Sequence, residues 1–95
     1  MSSPVQVTNN SADGQFEIHA EDKVATLAYT EREGKIYLIH TEVPKPLEGR
    51  GYASALAKTA LDYAREHQLT VVPFCPFVRA YLQRHPEYSS LVKAG

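Results

Sequence analysis

The most constraining feature of the sequence is a strong strand pattern that runs through a proline- and glycine-rich turn into a long helix pattern. Residues 35–43 predict a strand, and Pro44 and Pro46 end it because proline cannot donate a hydrogen bond to a sheet. Apolar residues then recur at helical spacing over residues 51–67, and a short β-branched stretch follows at residues 70–72. This order predicts a right-handed crossover between two parallel strands.

The strand over residues 35–43 divides into two faces by simple alternation. One face carries Ile36, Leu38, His40 and Glu42, and the other carries Tyr37, Ile39, Thr41 and Val43. Both faces contain apolar residues, which predicts a central strand covered on both sides.

The rest of the chain completes an α+β domain. Residues 15–19 and 24–29 predict two earlier strands, and Cys75-Pro76 begins a second helix that extends to about Arg84. The predicted order is β-β-β-α-β-α, with a mixed, mainly antiparallel sheet packed by two helices. Residues 1–10 are predicted to form a flexible lead-in, and residues 11–95 a single domain.

Composition narrows the classes of function. The formal net charge of −1 argues against bulk attraction to nucleic acid or to an anionic membrane. A single cysteine cannot form an internal disulfide, and the polar first ten residues lack the apolar core of a signal peptide. The histidines at 19, 67 and 85 are scattered, so no metal site is predicted. We therefore expect a cytoplasmic protein.

The turn between the long strand and the long helix is the first candidate site. Gly49 and Gly51 let the backbone approach a ligand closely, and Gly51 opens the helix. The first amides of a helix lack internal partners and lie at its positive end, which suits a phosphate or pyrophosphate. An ordinary glycine-assisted helix start explains the same residues.

Four side chains are candidates for chemistry. Cys75 precedes a helix, where a thiol pKa falls, although a buried cysteine also serves as a small apolar residue. His40 and Glu42 share a strand face and could move a proton, although His40 could equally be a core histidine bound to a carbonyl. Tyr81 could return a proton to a leaving thiolate, although its helix face predicts a core aromatic there.

The segments from Ile39 to Tyr88 together resemble the GNAT superfamily of acetyl-CoA-dependent N-acetyltransferases, and most closely its short single-domain branch. The segments are 40–44 (His-Thr-Glu-Val-Pro), 47–56, 71–75 (Val-Val-Pro-Phe-Cys) and 81–88. The family's pyrophosphate motif, Arg/Gln-x-x-Gly-x-Gly/Ala, lies over residues 48–53. Gly51 and Ala53 match it, whereas Glu48 stands where the family has Arg or Gln.

The resemblance implies a binding path for acetyl-CoA or coenzyme A. The cofactor-binding residues that it implies are Thr41, Val43, Glu48, Gly49, Arg50, Gly51, Tyr52, Ala53, Ser54 and Phe74. Arg50 would offset the charge of Glu48. His40 or Glu42 would be the general base and Tyr81 the general acid, with Cys75 beside the thiol end. Direct attack by the amine is preferred to an acyl-cysteine intermediate, because it needs no second activated nucleophile.

The resemblance also implies an exposed acceptor site, because the helices that form its wall in larger members have no counterpart before residue 15. The site would be shallow, open, or completed by a partner chain, as in a homodimer. The leading hypothesis is an acetyl-CoA-dependent N-acetyltransferase that acts on an amine of a small molecule or a protein. The alternatives are a non-catalytic CoA- or acyl-CoA-binding module and an interaction domain without a ligand.

Overall fold

The computed structural model describes residues 5–92 as one sheet with two α-helices. The strands are β1 (Thr8–Asn10), β2 (Gln15–Ala20), β3 (Lys23–Arg32), β4 (Lys35–Glu42) and β5 (Thr70–Pro73). The helices are α1 (Tyr52–Glu66) and α2 (Pro76–Arg84), and short 3-10 helices span Lys45–Leu47 and Pro86–Leu91. Between residues 5 and 92, no helix is long and apolar enough to cross a membrane.

The sheet follows chain order from β1 to β5. The first three strand pairs are antiparallel, whereas β4 and β5 are parallel because α1 carries the chain back between them. The predicted α+β class and the mixed, mainly antiparallel sheet are therefore confirmed.

Residues 8–10, which the sequence places in a flexible lead-in, form the edge strand β1. Asn9 pairs with Phe16, and its side-chain oxygen accepts a 2.6 Å hydrogen bond from the Tyr29 hydroxyl. This strand is polar and short, so it lacks the apolar alternation by which strands are recognised. Residues 1–4 of the predicted lead-in lie outside the described residues.

Both helices pack on the same face of the sheet, which we call the helical face. The core under them combines strand residues with the inner side of both helices, including Phe16, Leu27, Ile36, Leu38, Leu56, Leu61, Val71 and Val78. The opposite face, the open face, leaves Ile39 43% and Phe74 58% exposed. The prediction that β4 is covered on both sides was therefore wrong for the described part of the chain.

A β-bulge at Ile39 changes the faces of β4. Leu38 pairs with Tyr29 and His40 pairs with Ala28, so Ile39 is an extra, unpaired residue between the partners of two consecutive β3 residues. Beyond the bulge, Thr41 pairs with the fully buried Leu27 and so lies on the helical face.

The bulge also corrects the predicted grouping of side chains. His40 and Glu42 do share a face, but it is the open face and not the face of Ile36 and Leu38. Thr41 and Val43 lie instead on the helical face, where Val43 packs against the core. Simple alternation failed because one inserted residue reverses the direction of every later side chain.

Candidate functional site

A cavity of about 220 Å³ lies where β4 ends and α1 begins. Its lining consists of Val43, Leu47, Glu48, Gly49, Gly51, Tyr52, Ala53, Ser54 and Phe77. Most of the predicted cofactor-binding residues therefore line a single cavity. Its walls come from the end of β4, the turn, the first turn of α1 and the start of α2.

The turn requires glycine for its backbone conformation. Gly49 and Gly51 both have φ of +82°, a left-handed conformation that other residues adopt at a cost. A Cβ added at either glycine would meet no atom within 4 Å, so the space around each one is open. The two glycines therefore shape the turn and leave room beside it.

The first turn of α1 supplies hydrogen-bond donors to this cavity. The Ala55 amide donates to the Gly51 carbonyl at 3.0 Å, which leaves the amides of residues 52–54 without partners inside the helix. No side chain caps the helix at Gly51. Free amides at the positive end of a 15-residue helix can hold the oxygens of a phosphate or pyrophosphate.

The charged side chains of the turn do not reinforce this anion site. Glu48 lines the cavity, whereas Arg50 is not among the lining residues. Arg50 instead donates a 2.7 Å hydrogen bond to Glu21, in the turn between β2 and β3. The contact raises the pKa of Arg50 and lowers the pKa of Glu21. The expectation that Arg50 offsets the charge of Glu48 is therefore not supported by its position.

The strands β4 and β5 separate beside the cavity. Their parallel register ends at Leu38 and Pro73, and the Cys75 amide makes a final 2.9 Å hydrogen bond to the Leu38 carbonyl. The strand β4 continues to Glu42, so residues 39–42 have no strand partner on this side within the described chain. An extended ligand could bind this backbone edge as an added strand would.

Thr41 and Cys75 lie together on the helical side of this gap. The Thr41 hydroxyl and the Cys75 sulfur are 3.1 Å apart, close enough for a hydrogen bond in either direction. Cys75 is only 2% exposed and belongs to the core cluster. Its backbone begins α2 without a side-chain capping bond. Cys75 therefore lies at the predicted site and is also a buried core residue, as the alternative interpretation expected.

His40 and Glu42 lie on the other side of the sheet from Cys75. In the register, His40 is opposite Ala28 and Glu42 is opposite Thr26, and both side chains are exposed. The predicted base candidates and the predicted thiol thus flank the β4 backbone from opposite faces.

Tyr81 is buried in α2 and its contacts lead away from Cys75. Its ring stacks on His85 at 3.9 Å and lies near Phe77 and Tyr88. Burial raises the pKa of Tyr81. Six residues along a helix correspond to an axial distance of about 9 Å from Cys75. Tyr81 also does not line the cavity. Its predicted role as general acid is not supported by this position.

The cavity includes residues that the sequence analysis did not select. Phe77 lines it, whereas the predicted Phe74 lies on the open face with its ring 5.9 Å from the Tyr37 ring. Leu47 is also fully buried against it. The sequence feature that could have identified Phe77 is its position as the second residue of α2, two residues after Cys75. Arg79 stabilises the turn before α2 through 3.1 and 2.8 Å bonds to the carbonyls of residues 73 and 74.

Comparison with known families now identifies the fold and its family. A family model described as GCN5-related N-acetyl-transferase matches residues 15–91. The chain belongs to this family. The match includes the glycine turn, the gap between β4 and β5, and both helices. The predicted resemblance is thereby confirmed at the level of the family.

Similar chains occur in vertebrates and bacteria. Protein NATD1 of Gallus gallus is 38% identical over 88 residues, which cover 87% of this chain and 78% of the relative. Protein NATD1 of Homo sapiens is 36% identical, with 87% and 76% covered. The solution structure of a GCN5-like protein from Staphylococcus aureus matches with a TM-score of 0.74 and 23% identity, covering 99% of this chain and 93% of that one. That structure supports the fold.

Proposed function

We propose that the protein is an acetyl-CoA-dependent N-acetyltransferase. The observation that carries this proposal is that the cavity at the start of α1 is lined in part by Val43, which directly follows the unpaired end of β4. A phosphate-bearing ligand with a long, amide-containing arm fits such a path. The family supports an acyltransferase, and the geometry supports acetyl-CoA as the acyl donor.

The cofactor path has three parts. The pyrophosphate binds the free amides of residues 52–54, next to Gly49 and Gly51. The pantetheine amides pair with the unpartnered backbone edge of β4 near Thr41 and Val43. The thioester then ends at the gap beside Thr41 and Cys75, where the pairing of β4 with β5 has ended.

The chemistry that best fits this path is direct transfer. The amine nitrogen attacks the thioester carbonyl carbon, the C–S bond breaks, and coenzyme A leaves as a thiolate. The proton lost from the amine goes to His40 or Glu42, which lie on the open face from which an acceptor can approach.

The acyl-cysteine route fits less well. Cys75 is buried, its sulfur lies within hydrogen-bond distance of the Thr41 hydroxyl, and His40 lies on the opposite face of the sheet. A nucleophilic thiol needs an adjacent base or a cationic surrounding. His40 can serve as neither the base nor the cation for Cys75, because the sheet lies between them.

A second candidate function is a CoA-binding module without catalysis. Two observations favour it: the cavity has Glu48 but no cationic residue in its lining, and Tyr81 lies apart from Cys75. Acetyl-CoA incubated with a panel of amines separates the two functions, with free thiol release as the measurement. Amine-dependent release supports the transferase, whereas tight binding without release supports the module.

The binding part is tested by calorimetry with CoA and two matched variants. Gly51→Ala and Gly34→Ala place a Cβ at similar φ values, +82° and +76°, with no atom within 4 Å in either case. Each should lose about 1 kcal/mol of stability. Only Gly51→Ala should weaken CoA binding, by roughly tenfold or more, because Gly34 lies in the remote β3–β4 turn. Equal effects on affinity, or no CoA binding by the parent, would refute the proposed site. The proposed location is cytoplasmic, because the single cysteine of the chain, Cys75, is buried and forms no disulfide.

A further inference from the structure

We propose that the acceptor is a monoamine on an aromatic or branched apolar body, and that it binds the open face with its amine beside His40. This inference rests on the proposed transferase function and names its acceptor class. Three observations support it: a groove on the open face, the position of this groove beside the β4–β5 gap, and the charged residues at the two ends of the groove.

The groove has a volume of about 350 Å³, which is in the range of small-molecule sites. It is lined by Thr30, Arg32, Tyr37, Ile39 and Phe74. The rings of Tyr37 and Phe74 are stacked, with centroids 5.9 Å apart and an interplanar angle of 30°. A body that covers this stacked pair and Ile39 would remove apolar surface from water, which favours an apolar or aromatic acceptor.

One end of the groove adjoins the reaction path proposed above. Ile39 is the bulged residue immediately before His40, and Phe74 immediately precedes Cys75. An acceptor lying over these two side chains therefore has its near end at the gap where β4 and β5 separate. The bulge turns both Ile39 and His40 toward the open face, so the apolar lining continues directly into the candidate base.

Charges at the two ends orient such an acceptor. Arg32 and Lys35 are directly opposite each other in the register at the far end, and the Arg32 guanidinium lies 5.9 Å from the Tyr37 ring centroid. Glu42 lies at the near end, two residues after His40 and on the same face of the sheet. An ammonium group is repelled from the two cations and attracted toward Glu42. A second ammonium at the far end would be disfavoured, so diamines should be poor acceptors.

The test uses the CoA-saturated protein and three probes: 2-phenylethylamine, ethylamine and p-xylylenediamine. Amide chemical shifts in NMR titrations report binding, and acetyl-CoA consumption reports transfer. We expect 2-phenylethylamine to bind at residues 37, 39 and 74 and to exceed each of the other two amines at least tenfold in kcat/KM. Sedimentation at the same concentration tests whether a second copy of the chain covers the groove instead.

Two variants and one matched control locate the groove. Phe74→Ala should remove most of the preference for 2-phenylethylamine over ethylamine, whereas Val24→Ala, an exposed apolar residue on the same face at 37% exposure, should retain it. Arg32→Glu cancels the net positive charge of the far end, because Lys35 remains beside the new carboxylate, and it should raise kcat/KM for p-xylylenediamine at least fivefold. The affinity for CoA should stay unchanged in Val24→Ala and Arg32→Glu.

The outcomes separate the two proposals. Failure of the parent to bind CoA overturns the proposed function and this inference with it. Four other outcomes, each with CoA still bound, overturn the acceptor class alone. They are a preference for the diamine, equal effects of Phe74→Ala and Val24→Ala, no binding or acetylation of any probe, and a dimer that covers the groove.

Discussion

Arg50 donates a 2.7 Å hydrogen bond to Glu21, and this contact joins the glycine turn to the hairpin between β2 and β3. Arg50 lies between the two glycines of the candidate pyrophosphate site, yet its guanidinium is paired with a carboxylate outside the cavity. A phosphate at the turn can therefore contact this cation only if Arg50 leaves Glu21.

We expect Glu21→Gln to strengthen CoA binding by roughly threefold at low salt, since exposed charge pairs have small effects. The reason is that Arg50 becomes free to approach the phosphates. The gain should disappear in 0.5 M salt, where such charges are screened. Calorimetry checks both values. Asp22→Asn is the matched control, because it removes the same charge from the same turn without removing the partner of Arg50. Equal gains from both variants would indicate a general charge effect instead.

The separation of His40 and Cys75 by the sheet leads to a second prediction. We expect His40→Ala to lower kcat by about a hundredfold at pH 7, as removal of a general base does. Cys75→Ala should keep kcat within about threefold and lower the melting temperature, because it deletes a buried sulfur. Steady-state thiol release and thermal unfolding provide the measurements.

His67→Ala, at the C-terminal cap of α1, is the control for loss of a histidine. A large loss of kcat in Cys75→Ala with little loss in His40→Ala would reverse the assignment and favour an acyl-cysteine. Mass spectrometry of the protein after exposure to acetyl-CoA would then detect an acetyl adduct on Cys75.

Much of the fold was predictable because local signals agree with the tertiary structure. Proline and glycine end β4 and begin α1, and apolar residues at helical spacing face the sheet from α1. The shape of the glycine turn was predictable for the same reason: glycines suited to left-handed positions and a helix start are both visible in sequence. By contrast, β1 is polar and is held by partners distant in sequence, such as Tyr29.

The arrangement of the site was less predictable, because it depends on the bulge at Ile39. An extra residue in a strand leaves no mark in the alternation of β4, but it decides that His40 is on the open face. The partner of Arg50 was equally hidden, because Glu21 is 29 residues away and only the fold brings them together. The sequence pattern predicted which residue types the site contains, but it did not predict the direction in which their side chains point.

The position of Tyr81 gives a third prediction. The ring packs among Phe77, His85 and Tyr88, away from the gap that holds Cys75. We therefore expect Tyr81→Phe to keep kcat within about threefold, because it retains the packing and removes only the hydroxyl. Steady-state kinetics from pH 6 to 9 measure this, with Tyr88→Phe as the control for loss of a buried hydroxyl. A loss of a hundredfold, together with a changed alkaline limb, would restore the general-acid role.

The carboxyl of Glu17 gives a fourth prediction, which concerns stability against acid. Glu17 lies on the open face at 8% exposure and accepts hydrogen bonds from Gln15 at 2.6 Å and from Asn10 at 3.0 Å, with His19 at 2.8 Å. These contacts lower the pKa of Glu17 from 4.5 to about 2, with the Gln15 bond the largest cause. The ionised carboxylate is thus favoured in the folded state.

Because the folded pKa is the lower one, the stability from Glu17 is complete above about pH 4.5 and is lost as the pH falls toward 2. A full shift of this size is worth roughly 3 kcal/mol. The glutamine side chain keeps an oxygen that can still accept a hydrogen bond from Gln15 or Asn10, so we expect Glu17→Gln to cost roughly 1–2 kcal/mol at pH 7. The difference from the parent should shrink steadily between pH 4.5 and 2 in urea unfolding. Glu33→Gln, an exposed carboxyl outside this network, is the control. A Glu17→Gln difference that stays constant down to pH 2 would show that packing, and not ionisation, accounts for its contribution.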